Sequence, residues 1–133
     1  IDISNLYLES NDFGKALRWA DKVVSLNNDI GDGFGQKGKV YYYGWDNFRK
    51  NPFTADDRII AKLSYDYFVK AESKGYHGFS KRAWLEENSK DILYGKAQWF
   101  MADEKTRRTK SISTMSSDYD WVTESLKAEA DWK

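Results

Sequence analysis

Asn11-Asp12-Phe13-Gly14-Lys15-Ala16-Leu17-Arg18-Trp19-Ala20-Asp21-Lys22-Val23 decides how the rest of the chain is read. Phe13, Ala16, Ala20 and Val23 recur at spacings of three, four and three. That interval places them on one face of an α-helix, which turns once in about 3.6 residues. Asn11 and Asp12 carry short polar side chains suited to the free N–H groups of a first turn, and Asn27-Asn28-Asp29 ends the helix. Further along, Ala61, Ser64, Phe68 and Ala71 repeat the same spacings. Pro52-Phe53-Thr54 opens this later helix, Thr54 and Asp57 read as a capping box, and Asp56 suits the positive end of the helix dipole. Gly75 suits a left-handed stop. Between the two, Phe34, Gly38 and Tyr41 mark another helix, predicted to break at Gly44-Trp45-Asp46.

A shift of 48 positions carries Trp19 onto Tyr67, Lys22 onto Lys70, Val23 onto Ala71 and Ser25 onto Ser73. Repeats of this length usually mean stacked helix pairs, because one pair cannot bury its apolar face alone. The segment from Asn11 through Val23 to Asn28 resembles the second helix of a tetratricopeptide repeat. It has Phe13 and Ala16 at the aromatic and Ala positions, while Ala20, Val23 and Asn28, where a bulky residue, a second small residue and Pro are wanted, are substituted or only approximate. Phe34, Gly38 and Tyr41 are similar to the family's first helix. Tyr7 fits the end of a preceding first helix. Residues 34–75 also resemble the Sel-like variant, with Lys70-Ala71 and Gly75 in its Lys-Ala-x-x-x-Gly segment. The resemblance spans roughly residues 3–75. It implies an all-α fold, an α-α superhelix of antiparallel helix pairs. Residues 1–29 would be a partial first repeat and 32–76 a second repeat with an inserted loop at 45–53. Residues 79–133 would be a divergent helical cap.

Beyond Gly75 the period fails, with Arg82 and Glu86 where an aromatic and a small residue would recur. Residues 80–108 still read as a helix or helix pair, with Ala83, Trp84, Leu85, Ile92, Leu93, Trp99, Phe100 and Met101 as apolar content. Ser111 to Ser117 reads as a polar linker. Ser117 and Asp120 suggest a second capping box, opening a last helix with Trp121, Val122, Leu126 and Ala130. The composition suits one domain: 133 residues, one Pro, and an aromatic fraction of 17% to supply buried area. Twenty-one cationic and 21 anionic side chains give no whole-molecule pull toward nucleic acid or an anionic membrane. No Cys rules out disulfides and thiolate metal sites. No apolar run approaches the ~18 residues of a membrane span. Ile1 is not an initiator Met, which fits a processed chain or a piece of a longer one.

Several segments imitate catalytic motifs. Gly33-Phe34-Gly35-Gln36-Lys37-Gly38-Lys39-Val40 matches a phosphate loop and a kinase glycine loop. Val40, however, replaces the metal-binding hydroxyl, and no strand ending in a metal-binding Asp is evident. The segment reads instead as a helix start whose glycines permit close packing. Asn27, Asp29 and Asp32 hint at a calcium loop, yet Gly38 stands where the bidentate Glu belongs. His77 is the only His, with no second His or Cys to complete a zinc site. The pairs Asp56-Asp57, Glu86-Glu87 and Asp118 with Asp120 would suit a carboxylate-dependent glycoside hydrolase or glycan-binding domain. Two of those pairs, however, fall at helix starts, where acids belong. Lys105 to Lys110 is the one basic cluster and lacks the interleaved aromatics of single-strand binders.

The expected function is therefore non-catalytic binding of a protein or peptide, with no cofactor or metal. By position, the resemblance implies a concave face lined by Asp32, Gly35, Gln36, Lys39, Tyr42 and Tyr43. Gln36, Lys39, Tyr42 and Tyr43 would be the partner-binding residues. Lys39 would meet an acidic group, and the tyrosines would supply anchoring area with a polar tip. The competing expectation for Tyr42 and Tyr43 is packing on residues 45–53. The competing functions are a structural segment of a larger protein and the carboxylate hydrolase.

Overall fold

Helical periodicity becomes helix wherever the cap chemistry supports it. The computed structural model describes residues 2–132, without the side chains of Asp2, Lys81, Arg82, Ala83 and Glu86. Four helices form its body: α1 (Asp2–Glu9), α2 (Phe13–Leu26), α3 (Asp32–Phe48) and α4 (Ala55–Ser73). Asp12 caps α2 by accepting the Lys15 N–H at 3.2 Å. Thr54 and Asp57 exchange the reciprocal bonds of a capping box at the start of α4. Gly75 follows α4 with φ of 86°, a conformation that costs other residues more.

Consecutive helices run antiparallel. Ser4 on α1 donates to the Ala16 carbonyl on α2. Along the next pair, Gly33 meets Val24 and Gly44 approaches Phe13. Along α3 and α4, Gly31 meets Ala71, and Ser64 donates to the Gly38 carbonyl at 2.8 Å. Gly38 permits that last approach, since a Cβ there would lie 2.9 Å from the Phe68 ring. The glycines of residues 33–38 thus lie inside a helix and serve packing. Ala16, Ala20, Val40, Tyr41, Ile60 and Ala71 are fully buried, so the apolar face inferred for each helix is the face that packs. No described helix is long and apolar enough to cross a membrane.

Two sequence expectations are corrected. The helix carrying Phe34 does not break at Gly44-Trp45-Asp46 but continues to Phe48. Trp45 is buried, and the Trp121 ring lies against Gly44, so tertiary packing outweighs the local break signal. The connection to α4 accordingly begins at Arg49 and is shorter than the loop expected at 45–53. The last helix expected from Ser117 is absent. The chain makes one 3-10 turn at Ser117–Tyr119, started by Ser116, whose Oγ accepts the Asp118 N–H. It then continues extended to β2 (Leu126–Lys127), which pairs antiparallel with β1 (Ser111–Ile112) in the segment read as a linker. The cap signals and the Val122, Leu126 and Ala130 spacing did not make a helix there, because Trp121 and Glu124 are held against the helical body instead.

Between these parts, α5 (Lys81–Asn88), a 3-10 turn at Lys90–Ile92, α6 (Lys96–Phe100) and α7 (Glu104–Thr109) replace the single helix or helix pair read from 80–108. The fold is all-α apart from the two-residue strand pair. The cap is helical only in its first part.

The extended tail lies against α2, α3 and α4. Trp121 stacks on Tyr41, with centroids 5.9 Å apart, and packs on Phe13 at 5.4 Å. The Glu124 carboxylate accepts hydrogen bonds from Tyr41 and Tyr67 and pairs with Lys37 Nζ at 3.1 Å. Lys37 also reaches Asp21 on α2 at 2.7 Å. Tyr119 donates to Asp57 Oδ1 at 2.7 Å. A buried lysine with two acidic partners is thereby compensated.

Candidate recognition site

The six groove positions separate into three environments. Gln36 is buried: its Nε2 donates to Ser4 Oγ and Asn5 Oδ1 at 2.9 and 3.0 Å, so α1 covers it. Gln36 is thus a helix-to-helix strut, and the expectation that it contacts a partner is corrected. Gly35 is also covered, with the Tyr76 ring 2.5 Å from where its Cβ would stand. Asp32 is exposed at the start of α3.

Lys39 and Tyr43 remain at the surface. They line a depression of about 300 Å³ with Asn5, Leu8 and Glu9. They also line a second of about 300 Å³ with Tyr42, Phe68, Tyr76 and Gly78. The two side chains thus form the ridge between two hollows. Lys39 Nζ donates to Asn5 Oδ1 at 3.0 Å and sits 5.7 Å from the Tyr43 ring centroid. These two contacting groups are neutral, and although Glu9 lines the first hollow, Lys39 makes no ion pair among the described residues. Tyr43 is 46% exposed, so its ring is open to contact.

Tyr42 divides its surface between packing and the second hollow. Its ring lies 5.6 Å from Trp45, and its hydroxyl donates to Asn88 Oδ1 at 3.1 Å, tying α3 to α5. Burial, aided by the nearby Glu87 charge, raises its pKa and keeps the hydroxyl protonated as a donor. The packing expected on 45–53 therefore occurs at Trp45, which is helical.

Asn5, Leu8, Phe68, Tyr76 and Asn88 belong to this face and were not read from the sequence as site residues. Each comes from another element, and only its contact with α3 brings it there. Tyr76 had one available signal, since it follows the Gly75 stop and so must fold back at the end of α4.

The residues that imitated catalysis have other partners. Asp57 accepts from Lys50 N, Thr54 N and Tyr119, and these bonds outweigh burial to hold its carboxyl below the usual range. Asp56 turns away from it to accept the N–H groups of Met115 and Ser116 at 2.9 and 2.6 Å. Asp118 pairs with Lys50 at 3.4 Å, and Asp120 ends the 3-10 turn. Glu86, one member of its pair, lies outside the described side chains, as do Arg82 and Ala83. His77 is exposed in the turn after Gly75. Asn27 Oδ1 accepts the Asp29 N–H at 3.1 Å, so the segment resembling a calcium loop closes on itself. Among the described residues, no group of three or more His, Asp or Glu side chains is arranged to hold a metal ion.

Compared with family models, curated proteins and solved structures, the chain matches none.

Proposed function

We propose that this domain is a non-catalytic recognition module, with a tetratricopeptide-like stack of helix pairs, that grips a protein or peptide on the α1–α3 face. One observation carries the reading: Lys39 and Tyr43 stand on a ridge between two hollows, with the cation held by neutral groups alone. A lysine placed this way gains most from an incoming carboxylate, because it has no ion pair to break first. Tyr43 offers a flat apolar ring with a polar tip, the type of side chain that dominates binding energies at interfaces. Two hollows flanking one ridge suit an extended acidic segment or one face of a helix.

The test is capture from a cell lysate with the native domain and with Lys39→Ala/Tyr43→Ala, followed by titration of the captured protein against both. Tyr42 and Gln36 are left intact because they hold elements together. The expected result is at least about a tenfold loss of affinity in the double variant. Equal affinity for both would overturn the reading.

A second reading has its own observation. Ile3 and Leu6, one turn apart on α1, are 43% and 63% exposed. In a helical stack this is where a neighbouring helix would pack, so the domain would then be a structural segment of a longer array.

A further inference from the structure

On another part of the molecule, α4, α6, α7 and β1 enclose a cleft of about 440 Å³. Its size falls within the ~300–1,000 Å³ typical of ligand pockets. Buried Ile59, Tyr94 and Ile112 form its floor. Its rim carries Ala97 and two of the most exposed apolar side chains, Met101 at 82% and Met115 at 92%. Methionine is unbranched and polarizable, and exposed pairs of it around an apolar hollow let a surface mould itself to a partner's side chains. Only two charged residues line the cleft, Asp56 and Asp103, and both are acidic. Hydrogen bonds from Thr106, aided by the nearby Lys105 charge, hold the Asp103 carboxyl below the usual range, so it stays ionised near neutral pH. The cations of α7 that follow, Lys105, Arg107 and Arg108, do not line the cleft, and Arg107 lies over the Phe100 ring instead.

We infer that this cleft is a second binding site, taking a basic amphipathic helix of a partner protein. The helix lays an aliphatic or aromatic side chain on the Ile59–Tyr94–Ile112 floor and sets a Lys or Arg against Asp56 and Asp103. Charge complementarity selects this occupant: an acidic segment would face two carboxylates at the solvent-accessible edge of the cleft, and a basic one would be drawn to them in a salt-dependent way. Helix-in-groove recognition sets apolar anchors of one helix face into such a hollow, with the polar face of the helix left toward its edge. The site is independent of the Lys39–Tyr43 ridge.

The test uses two synthetic helical peptides, one of Leu and Lys and one of Leu and Glu at the same positions, titrated calorimetrically against the full chain. Two variants accompany the native protein. Asp56→Asn/Asp103→Asn removes the charges while keeping acceptor oxygens for the backbone groups they cap, and Ala97→Trp fills the cleft from an exposed position. The expected result is binding of the Leu/Lys peptide that weakens about tenfold in the Asn variant, is lost in Ala97→Trp, and declines as salt rises. Circular dichroism of each variant shows that its helices are intact. Failure of the native protein to bind the Leu/Lys peptide, a preference for the Leu/Glu peptide, or binding that survives Ala97→Trp would each overturn the proposal. So would self-association that competes with the peptide, since the occupant would then be a second copy.

Discussion

Single side chains on α3 have opposite uses depending on which way the helix turns them. Lys37 and Lys39 are two positions apart, yet Lys37 is buried between Asp21 and Glu124 while Lys39 faces outward beside Asn5. Gly35 shows how little room separates packing from the candidate site. A methyl group there would meet the Tyr76 ring, which also lines the second hollow. Gly35→Ala is expected to cost about 1–3 kcal/mol in denaturant unfolding. It should also weaken partner binding more than its stability loss accounts for, because the ring must move into the hollow. Asp57 is a second such point. Asp57→Ala removes acceptors from two backbone N–H groups and from the buried Tyr119 hydroxyl, an expected loss of about 2–4 kcal/mol. Because its folded pKa is depressed, Asp57 contributes stability that is present above the ordinary Asp range and lost as pH falls through the lower folded value. The unfolding free energy of the Ala variant should therefore depend less steeply on pH in that acidic window.

At the scale of elements, the tail from Ser116 to Trp132 is held by side chains rather than by backbone pairing. Its described ladder consists of the two residue pairs between β1 and β2. Trp121→Ala is expected to cost about 2–3 kcal/mol and to expose tail amides to hydrogen exchange while α2, α3 and α4 stay protected. Equal loss of protection in the helices would show that the tail and the body unfold as one unit. This division also explains what could be read from the sequence. The helices α2 and α4 and their caps were legible because their signals are local: a spacing of three and four, Asp12, the Thr54–Asp57 exchange, Gly75. The continuation of α3 through Gly44 was not, because it depends on Trp121, more than seventy positions away in sequence. The path of the tail was hidden for the same reason, its capping residues promising a helix that Glu124 and Trp121 override. For the candidate site, Lys39 and Tyr43 came from the positions that the family resemblance implies, but the cover that α1 places over Gln36 has no sequence signal.

Across the whole molecule, two buried lysines join the tail to the helical body. Lys37 binds Glu124, and Lys62 binds Glu129 at 2.5 Å together with Asp66 at 2.8 Å. The two clusters respond differently to acid. Burial would raise the Glu124 carboxyl, but hydrogen bonds from Tyr41 and Tyr67 and the Lys37 charge outweigh it, leaving the pKa below the ordinary value. Its stabilisation is therefore present above the ordinary Glu range and lost as pH falls through the depressed folded value. Asp66 is raised instead, chiefly by burial, so its protonation on acidification does not oppose the folded state. Of the two clusters Glu124 is thus the acid-labile one, and together with Asp57, which holds Tyr119, it should make acid loosening begin with the tail. As pH falls below the ordinary Glu range, near-UV dichroism from the Trp121–Tyr41 stack should decline before the far-UV helix signal. Glu124→Gln should lose about 2–3 kcal/mol at neutral pH by leaving Lys37 undercompensated, and its near-UV signal should no longer change separately in that window. Simultaneous loss of both signals in the native protein, or an unchanged separation in Glu124→Gln, would mean that the tail is held mainly by its aromatic contacts and that the Lys37 cluster only orients it.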